Sequence, residues 1–345
     1  MANYDASNLA VGQAKFNDTF QKGELRYREP VVWKSLLANQ PIATPQYESL
    51  RTREDRSFEL NLVNRSSRAL GSGRTHNPSG AKGDSSVITP SFSIKSDAFY
   101  TSIKQADASI YTLQEEFNKE MMNSVINLVE GLEDLSANFL FNNRSGFNPV
   151  TQEGTFDATE YTFEIAAANE DRAVQITQSV MDILRYIGGD LDIYCDTISY
   201  NKFKQQRAQG SGNATNLQYQ FDDGNLKFYH TPDMNAEVAT LKTGGYTKGF
   251  WLAVPKGMAV GLDWIPLQNR NGVGPIANRE YGNIINPIDG APYALYKKFE
   301  AGDESGNNGQ TQDIIETCEL SIDVAFESAP LTNGGETVIQ AFAIV

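Results

Sequence analysis

The sequence predicts an α+β fold on three observations. Residues 106–141 keep an apolar spacing that averages about 3.6 residues, the α-helical period. Several other runs alternate apolar and polar side chains with the period of two that marks a strand. Between 150 and about 310, short strand and helix patterns follow one another. A chain of 345 residues can bury a sizeable core, and its length allows two or three domains or one domain with extensions. Hydrophobic content of 40% and charged content of 21% are those of an ordinary globular chain.

In chain order, residues 1–30 are polar with no sustained period and read as extended. Residues 31–40, VVWKSLLANQ, predict a short helix ending before Pro41. Phe58, Leu60 and Leu62 share one face of a strand at 57–63. A second strand at 86–99 puts Phe92 and Ile94 on one face, and Pro90 makes it an edge or interrupted strand. Together they predict a long hairpin, marginal by itself in water.

In the helix at 106–141 the stripe is Ile110, Leu113, Phe117, Met121, Val125, Leu128, Leu132, Leu135 and Phe139. Asp107 or Ser109 can cap it, and Gly131 marks a bend or a close contact. Tyr161, Phe163 and Ile165 predict a strand at 159–167. Asn169, Glu170 and Asp171 open a helix over 172–187, with Val180, Ile183, Leu184 and Ile187 inward and Gly188-Gly189 as its stop. A buried strand at 191–196 leads into a helix at 197–209, capped by Thr197 or Ser199. Strands follow at 217–221, 226–230, 249–255 and 258–265, then a loop over 268–290 and a polar loop over 301–312. Cys318, Leu320, Ile322, Val324 and Phe326 alternate strictly, and the apolar run 337–345 is expected to be packed.

Charge is uneven. The net charge is −14, yet residues 1–105 carry 14 basic and 10 acidic side chains, and the remainder 15 and 33. The acidic balance argues against strong nucleic-acid affinity, which needs clustered cations, but allows contact with a nucleic acid confined nearby. Residues 64–86 form a loop whose apolar side chains are only Ala69, Leu70 and Ala81, with Arg65, Arg68, Arg74 and Lys82 against the lone Asp84. A basic loop without a core inside an acidic protein points to a neighbouring copy of the chain as its partner.

Little in the sequence points to catalysis. The two histidines, His76 and His230, lie in the loop and at a strand end, which makes a Ser-His-Asp or Cys-His site improbable. Cys195 and Cys318 read as small buried thiols, with no disulfide. There is no metal-binding HExxH or CxxC pair and no phosphate loop, so no cofactor is implied. The G-x-G-x-x-A match at 272–277 lacks a preceding strand and holds Pro275. Asp303 and Glu304 lack the spacing of a calcium loop. The acid pairs Glu115/Glu116, Glu133/Asp134 and Glu170/Asp171 read as solvated helix faces or first turns. No run is long and apolar enough to span a membrane, and the N-terminus lacks a secretory signal.

The order of these parts, with the run VMDILRYIGGDLDIYCDTISYNKFKQQ at 180–206, resembles the HK97-like shell fold of tailed-phage major capsid proteins and encapsulins. The resemblance covers nearly the whole chain. It implies an N-arm at 1–50, an extended E-loop hairpin at 51–104 with its tip at 64–86, and a P-domain at 105–149 built on a long spine helix. A mixed α/β A-domain would occupy most of 150–310, and residues 311–345 would return through the P-domain. It implies a structural, non-enzymatic subunit that self-assembles into hexamers and pentamers of an icosahedral shell around packaged double-stranded DNA. Assembly would take place in the host cytoplasm and the product would be the virion. Scaffolding, portal and decoration proteins would be partners, the scaffold as a separate chain.

The resemblance makes Arg65, Arg68, Arg74 and Lys82 intersubunit contacts of the E-loop tip, with Lys82 the loop's candidate for the Lys–Asn cross-link that some members form. An encapsulin-type compartment is the alternative within the fold, and nucleic acid in purified particles separates the two. A β-rich tail or adhesin module is the alternative of another class, and the long helix argues against it.

Overall fold

The computed structural model describes residues 5–43, 53–54, 56, 59–63, 85–102, 113–151, 153–183, 190–211, 226–242, 245–272, 279–302, 313–330 and 336–345. Three helices come first: α1 (Asp5–Gln21), α2 (Val31–Ala38) and α3 (Gln40–Ala43). Strands β1 (Leu60–Val63), β2 (Ser85–Ile88) and β3 (Ser93–Ser102) precede the long helix α4 (Leu113–Asn142). Next are β4 (Thr155–Asp157), β5 (Thr162–Ile165), a 3-10 turn (Ala167–Arg172), α5 (Ala173–Ile183), β6 (Leu191–Cys195) and α6 (Thr197–Ser211). The remainder is β7 (Leu226–His230), α7 (Met234–Val238), β8 (Phe250–Pro255), β9 (Ala259–Trp264), α8 (Leu267–Asn271), β10 (Arg279–Ile285), β11 (Pro292–Gly302), β12 (Asp313–Ser328) and β13 (Gln340–Ile344).

Two sheets organise the molecule. The first runs β10-β11-β12-β3, all antiparallel, with β9 paired to the far end of β12. The second runs β4-β5-β13-β8-β6-β7, with parallel pairs at β13–β5 and β6–β7. Helix α4 lies on the first sheet. Its Phe117, Met121, Val125, Leu128 and Leu132 form one core with Cys318, Leu320, Ile322 and Val324 of β12. The helical stripe and the period-two stripe that the sequence predicts meet there. Each large side chain so buried contributes roughly 1.5–3 kcal/mol. The 30 residues of α4 span about 45 Å. Its expected first turns, with Ile110 and the candidate caps Asp107 and Ser109, lie outside the described residues.

The second sheet has a core on each face. One joins Tyr194, Leu252 and Ala341 to Leu140 and Phe141 of α4 and to α2. The other packs Ile193, Trp251 and Phe342 under Ile176 and Val180 of α5 and Phe203 of α6. The apolar run at the C-terminus is accordingly buried as β13.

Several expectations are corrected. Residues 5–21 are helical, not extended. Helix α1 packs on α4 through a narrow contact around Phe16, which is fully buried. There Gly12 lacks a Cβ where one would meet Asn118, Phe117 and Met121 at 3.1–3.3 Å. One large buried side chain leaves too little apolar periodicity to read. Helix α2, by contrast, ends before Pro41 as expected, and Pro41 falls inside the separate short helix α3.

On β3 the face turned to α4 holds Phe99 and Thr101, while Ile94 is 61% exposed. Gly131 makes no close contact: a Cβ there would meet open space. Tyr161 is exposed at φ 49° and precedes β5 instead of joining it. Ile183 points to solvent, and Leu184, Ile187 and the Gly188-Gly189 stop lie outside the described residues. The cap of α6 is Asp196, whose Oδ1 accepts the Ser199 N–H at 2.6 Å. The loop expected at 268–290 contains β10, an edge strand that buries only Ile284 and so lacks a visible alternation. The strand expected at 217–221 lies outside the described residues.

Candidate functional site

The predicted site residues Arg65, Arg68, Arg74 and Lys82 lie outside the described residues, as does His76. What the structure shows is how the segment that carries them is rooted. Strands β1 and β2 pair antiparallel, from Leu60 opposite Ile88 to Val63 opposite Ser85. They form a two-stranded ribbon that joins neither sheet.

Upstream of the ribbon, the chain is tied to the first sheet at Trp264. The indole N–H of Trp264 and the guanidinium of Arg270 both donate to the Arg53 carbonyl, at 3.4 and 2.9 Å. Arg56 and Arg270 each place a guanidinium over the Trp264 ring, at 5.9 and 4.9 Å from its centroid. Arg56 also donates to Asp323 at 2.9 Å. Burial pushes the Asp323 carboxyl up, and Arg56 opposes that shift. This tie escapes the sequence because strict alternation on β12 assigns Asp323 to solvent, whereas both faces of the strand are covered there.

A second tie holds the N-terminal segment. Glu130 accepts the Arg28 N–H at 3.1 Å, and the Arg28 guanidinium pairs with Asp233. Glu133 accepts the N–H groups of Val32 and Trp33 at 3.1 and 2.9 Å, at the start of α2. Its side chain is not on a solvated face, as the sequence suggests, but belongs to a residue only 1% exposed. Burial pushes its carboxyl up to about 7, against the pull of the two N–H donors. Trp33, fully buried, donates its indole N–H to Asp289 at 3.0 Å, which also accepts the Tyr293 hydroxyl at 2.7 Å. Because Trp33 belongs to the core under the first sheet, and Val32 and Leu36 to one against the second, α2 joins the two. Glu133 thus satisfies two N–H donors that the first turn of α2 leaves without an intrahelical partner, which anchors the helix there.

The groups that could do chemistry are committed elsewhere. Cys195 is fully buried and burial holds its thiol well above the usual range. His230 is its cross-strand partner, but it bonds Thr197 through Nε2 at 3.1 Å and stacks on Tyr200. Cys318 is buried, its thiol likewise pushed up. Glu115 and Glu116 line a cleft of about 780 Å³ with Lys15, Tyr100 and Lys119, among the side chains of α1, β3 and α4. Among the described residues, no group of three or more His, Cys, Asp and Glu is placed to hold a metal ion. No described helix is long and apolar enough to cross a membrane.

A scan against protein-family models and a search of curated proteins found no match. Among solved structures, the chain is similar to one from Mycobacterium phage Che8, at TM-score 0.50 and 9% identity over 86% of this chain and 87% of that one. It is also similar to the capsid structure of the Cyanophage P-SCSP1u, at TM-score 0.48 and 11% identity over 84% and 83%. A third is the Cyanophage Pam1 capsid asymmetric unit, at 0.43 and 11% over 86% and 87%. At such identities the likeness is one of fold. The chain has an HK97-like fold.

Proposed function

We propose that the chain is a major capsid protein of a tailed bacteriophage, a structural and non-catalytic subunit that assembles as hexamers and pentamers into an icosahedral shell around double-stranded DNA. The observation that carries this reading is the ribbon of β1 and β2, set on a shell fold but paired with neither sheet. An isolated two-stranded ribbon is marginal in water, so its stabilising partner is best supplied by another copy. Repetition of such contacts by symmetry multiplies weak interactions into a stable particle.

On this reading Arg65, Arg68, Arg74 and Lys82 reach acidic side chains of the adjacent subunit, where Arg gives bidentate geometry to carboxylates. The packaged DNA makes non-specific contact only, and its confinement removes the need for a basic inner face. Scaffolding, portal and decoration proteins are further partners. Assembly takes place in the host cytoplasm and the shell ends in the virion.

The test is to express the chain alone and examine it by size-exclusion chromatography and negative-stain electron microscopy. Shells, tubes or ringed capsomers are expected. Replacing Arg65, Arg68 and Arg74 together with Ala should leave a folded subunit that assembles poorly. Particles of unchanged yield and stability would remove that role from the three arginines. Protein cargo without nucleic acid in particles purified from the native source would favour the encapsulin alternative.

A further inference from the structure

Trp33 is gripped from two sides by carboxylates, one buried and one half-buried: its backbone N–H by Glu133 of α4 and its indole N–H by Asp289 before β11. Around Glu133 the charges do not balance. Glu130 and Asp134 stand on its own helix, Asp233 faces it from the start of α7, and Arg28 is already paired with Asp233. Tyr194 of β6 also faces it, its hydroxyl engaged by Ser35 at 2.7 Å. Asp289 faces Tyr293 and Asp263, and its remaining donor is the Ala291 N–H. Among the described residues, neither carboxylate has a cation as a hydrogen-bond partner.

We propose that the joint at Trp33 is a proton-linked latch: residues 28–38 stay docked on the spine helix while Glu133 holds a proton, and loosen as it ionises. A neutral carboxyl still offers a carbonyl oxygen to one N–H. An ionised one keeps its bonds, but as a buried charge without a counter-ion it favours an opened state in which water reaches it.

The sign follows from linkage. Glu133 ionises near 7 when docked and near its ordinary 4.5 when opened to water. Opening therefore releases a proton and becomes easier as pH rises from about 4.5 to 7, with the full effect present above 7. For Glu133 alone the opened fraction should rise roughly tenfold between about pH 6 and 8.5. Asp289, also pushed up by burial, acts in the same direction. The latch belongs to the single chain and operates whether or not shells form.

Hydrogen–deuterium exchange followed by mass spectrometry on the unassembled full chain tests this. Peptides covering 28–38 are compared at pH 6 and 8.5 after correction for intrinsic exchange rates, with residues 340–344 as the internal reference. Opening of 28–38 should rise by at least about tenfold more than that of the reference. Glu133→Gln should remove most of the rise. A pH-independent opening in the wild-type chain overturns the latch without recourse to any variant. So does a full pH response in a folded Glu133→Gln protein.

Discussion

Gly261 of β9 sets how closely the N-terminal segment can dock. A Cβ added there would lie 2.8 Å from Trp33 Cζ3, and 3.3 Å from both Trp33 Cε3 and Leu36 Cβ. Carbon atoms in good contact sit about 3.5–4.0 Å apart, so Gly261→Ala lacks close to an ångström of room. The indole cannot easily retreat. Its N–H is bonded to Asp289, and its ring meets Phe326 edge-on at 5.8 Å between centroids. Overpacking of this kind costs about 1–3 kcal/mol. Trp33→Phe removes the crowded part of the ring and the indole donor, at about 2–4 kcal/mol for lost packing and a lost hydrogen bond to a half-buried acid.

The two changes should not add. With Phe at 33 the new methyl finds space, so the double variant should be more stable than the sum implies by about 1 kcal/mol or more. Urea unfolding of unassembled subunits, followed by far-UV circular dichroism, measures all three variants against the wild type. Additivity within about 0.5 kcal/mol, or a Gly261→Ala protein as stable as the wild type, would refute close packing of α2 on β9.

Other outcomes follow from the same contacts. Lys297 is buried with its Nζ 2.9 Å from Glu316 and 5.0 Å over the Phe117 ring; Lys297→Met should destabilise by about 3–5 kcal/mol by stranding the acid, and adding Glu316→Leu should restore most of it in the same urea assay. Arg56→Ala should cost about 1–2 kcal/mol near pH 7; the loss should shrink on acidification as Asp323, already pushed up by burial, takes a proton, as melts at two pH values will show. Neither cysteine should react with a thiol reagent until denaturant is added, since both are buried with thiols held above their ordinary range; fast labelling of native protein would contradict the packing around Cys195 and Cys318. A boiled, reduced sample of assembled particles should run as monomer, and a covalent ladder would instead implicate Lys82.

The sequence shows the parts whose burial is one-sided and regular. The stripe of α4 and the alternation of β12 are legible because, over most of their length, each turns one face to the same core. It shows less where contact is narrow or two-sided. Helix α1 buries one phenylalanine, β10 one isoleucine, and neither leaves a pattern long enough to read. Asp323 and Glu133 mislead for a different reason. A charged residue in an alternating or helical pattern defaults to solvent, and only the arrival of Arg56, or of the N–H groups of α2, makes its burial tolerable. Those partners are separated from the acids by 267 and about 100 residues, so no local window contains both. The basic tip expected at 64–86 lies largely outside the described residues, and the tie upstream of it, at Arg53 and Arg56, leaves no local signal.

The place of β13 governs when the second sheet can exist during synthesis. It is the strand that joins β5 to β8, parallel to one and antiparallel to the other. Until it leaves the ribosome, residues 155–165 and 191–255 are two separate fragments, each with an open strand edge. At a translation rate of about 5–20 residues per second, the interval from Pro255 to Ile344 lasts on the order of 5–20 s. Throughout it β5 and β8 offer unpaired backbone to any strand nearby, including those of other nascent copies. In a cell making many copies at once, these two edges are where a chaperone's protection matters most, and where slow translation does most harm.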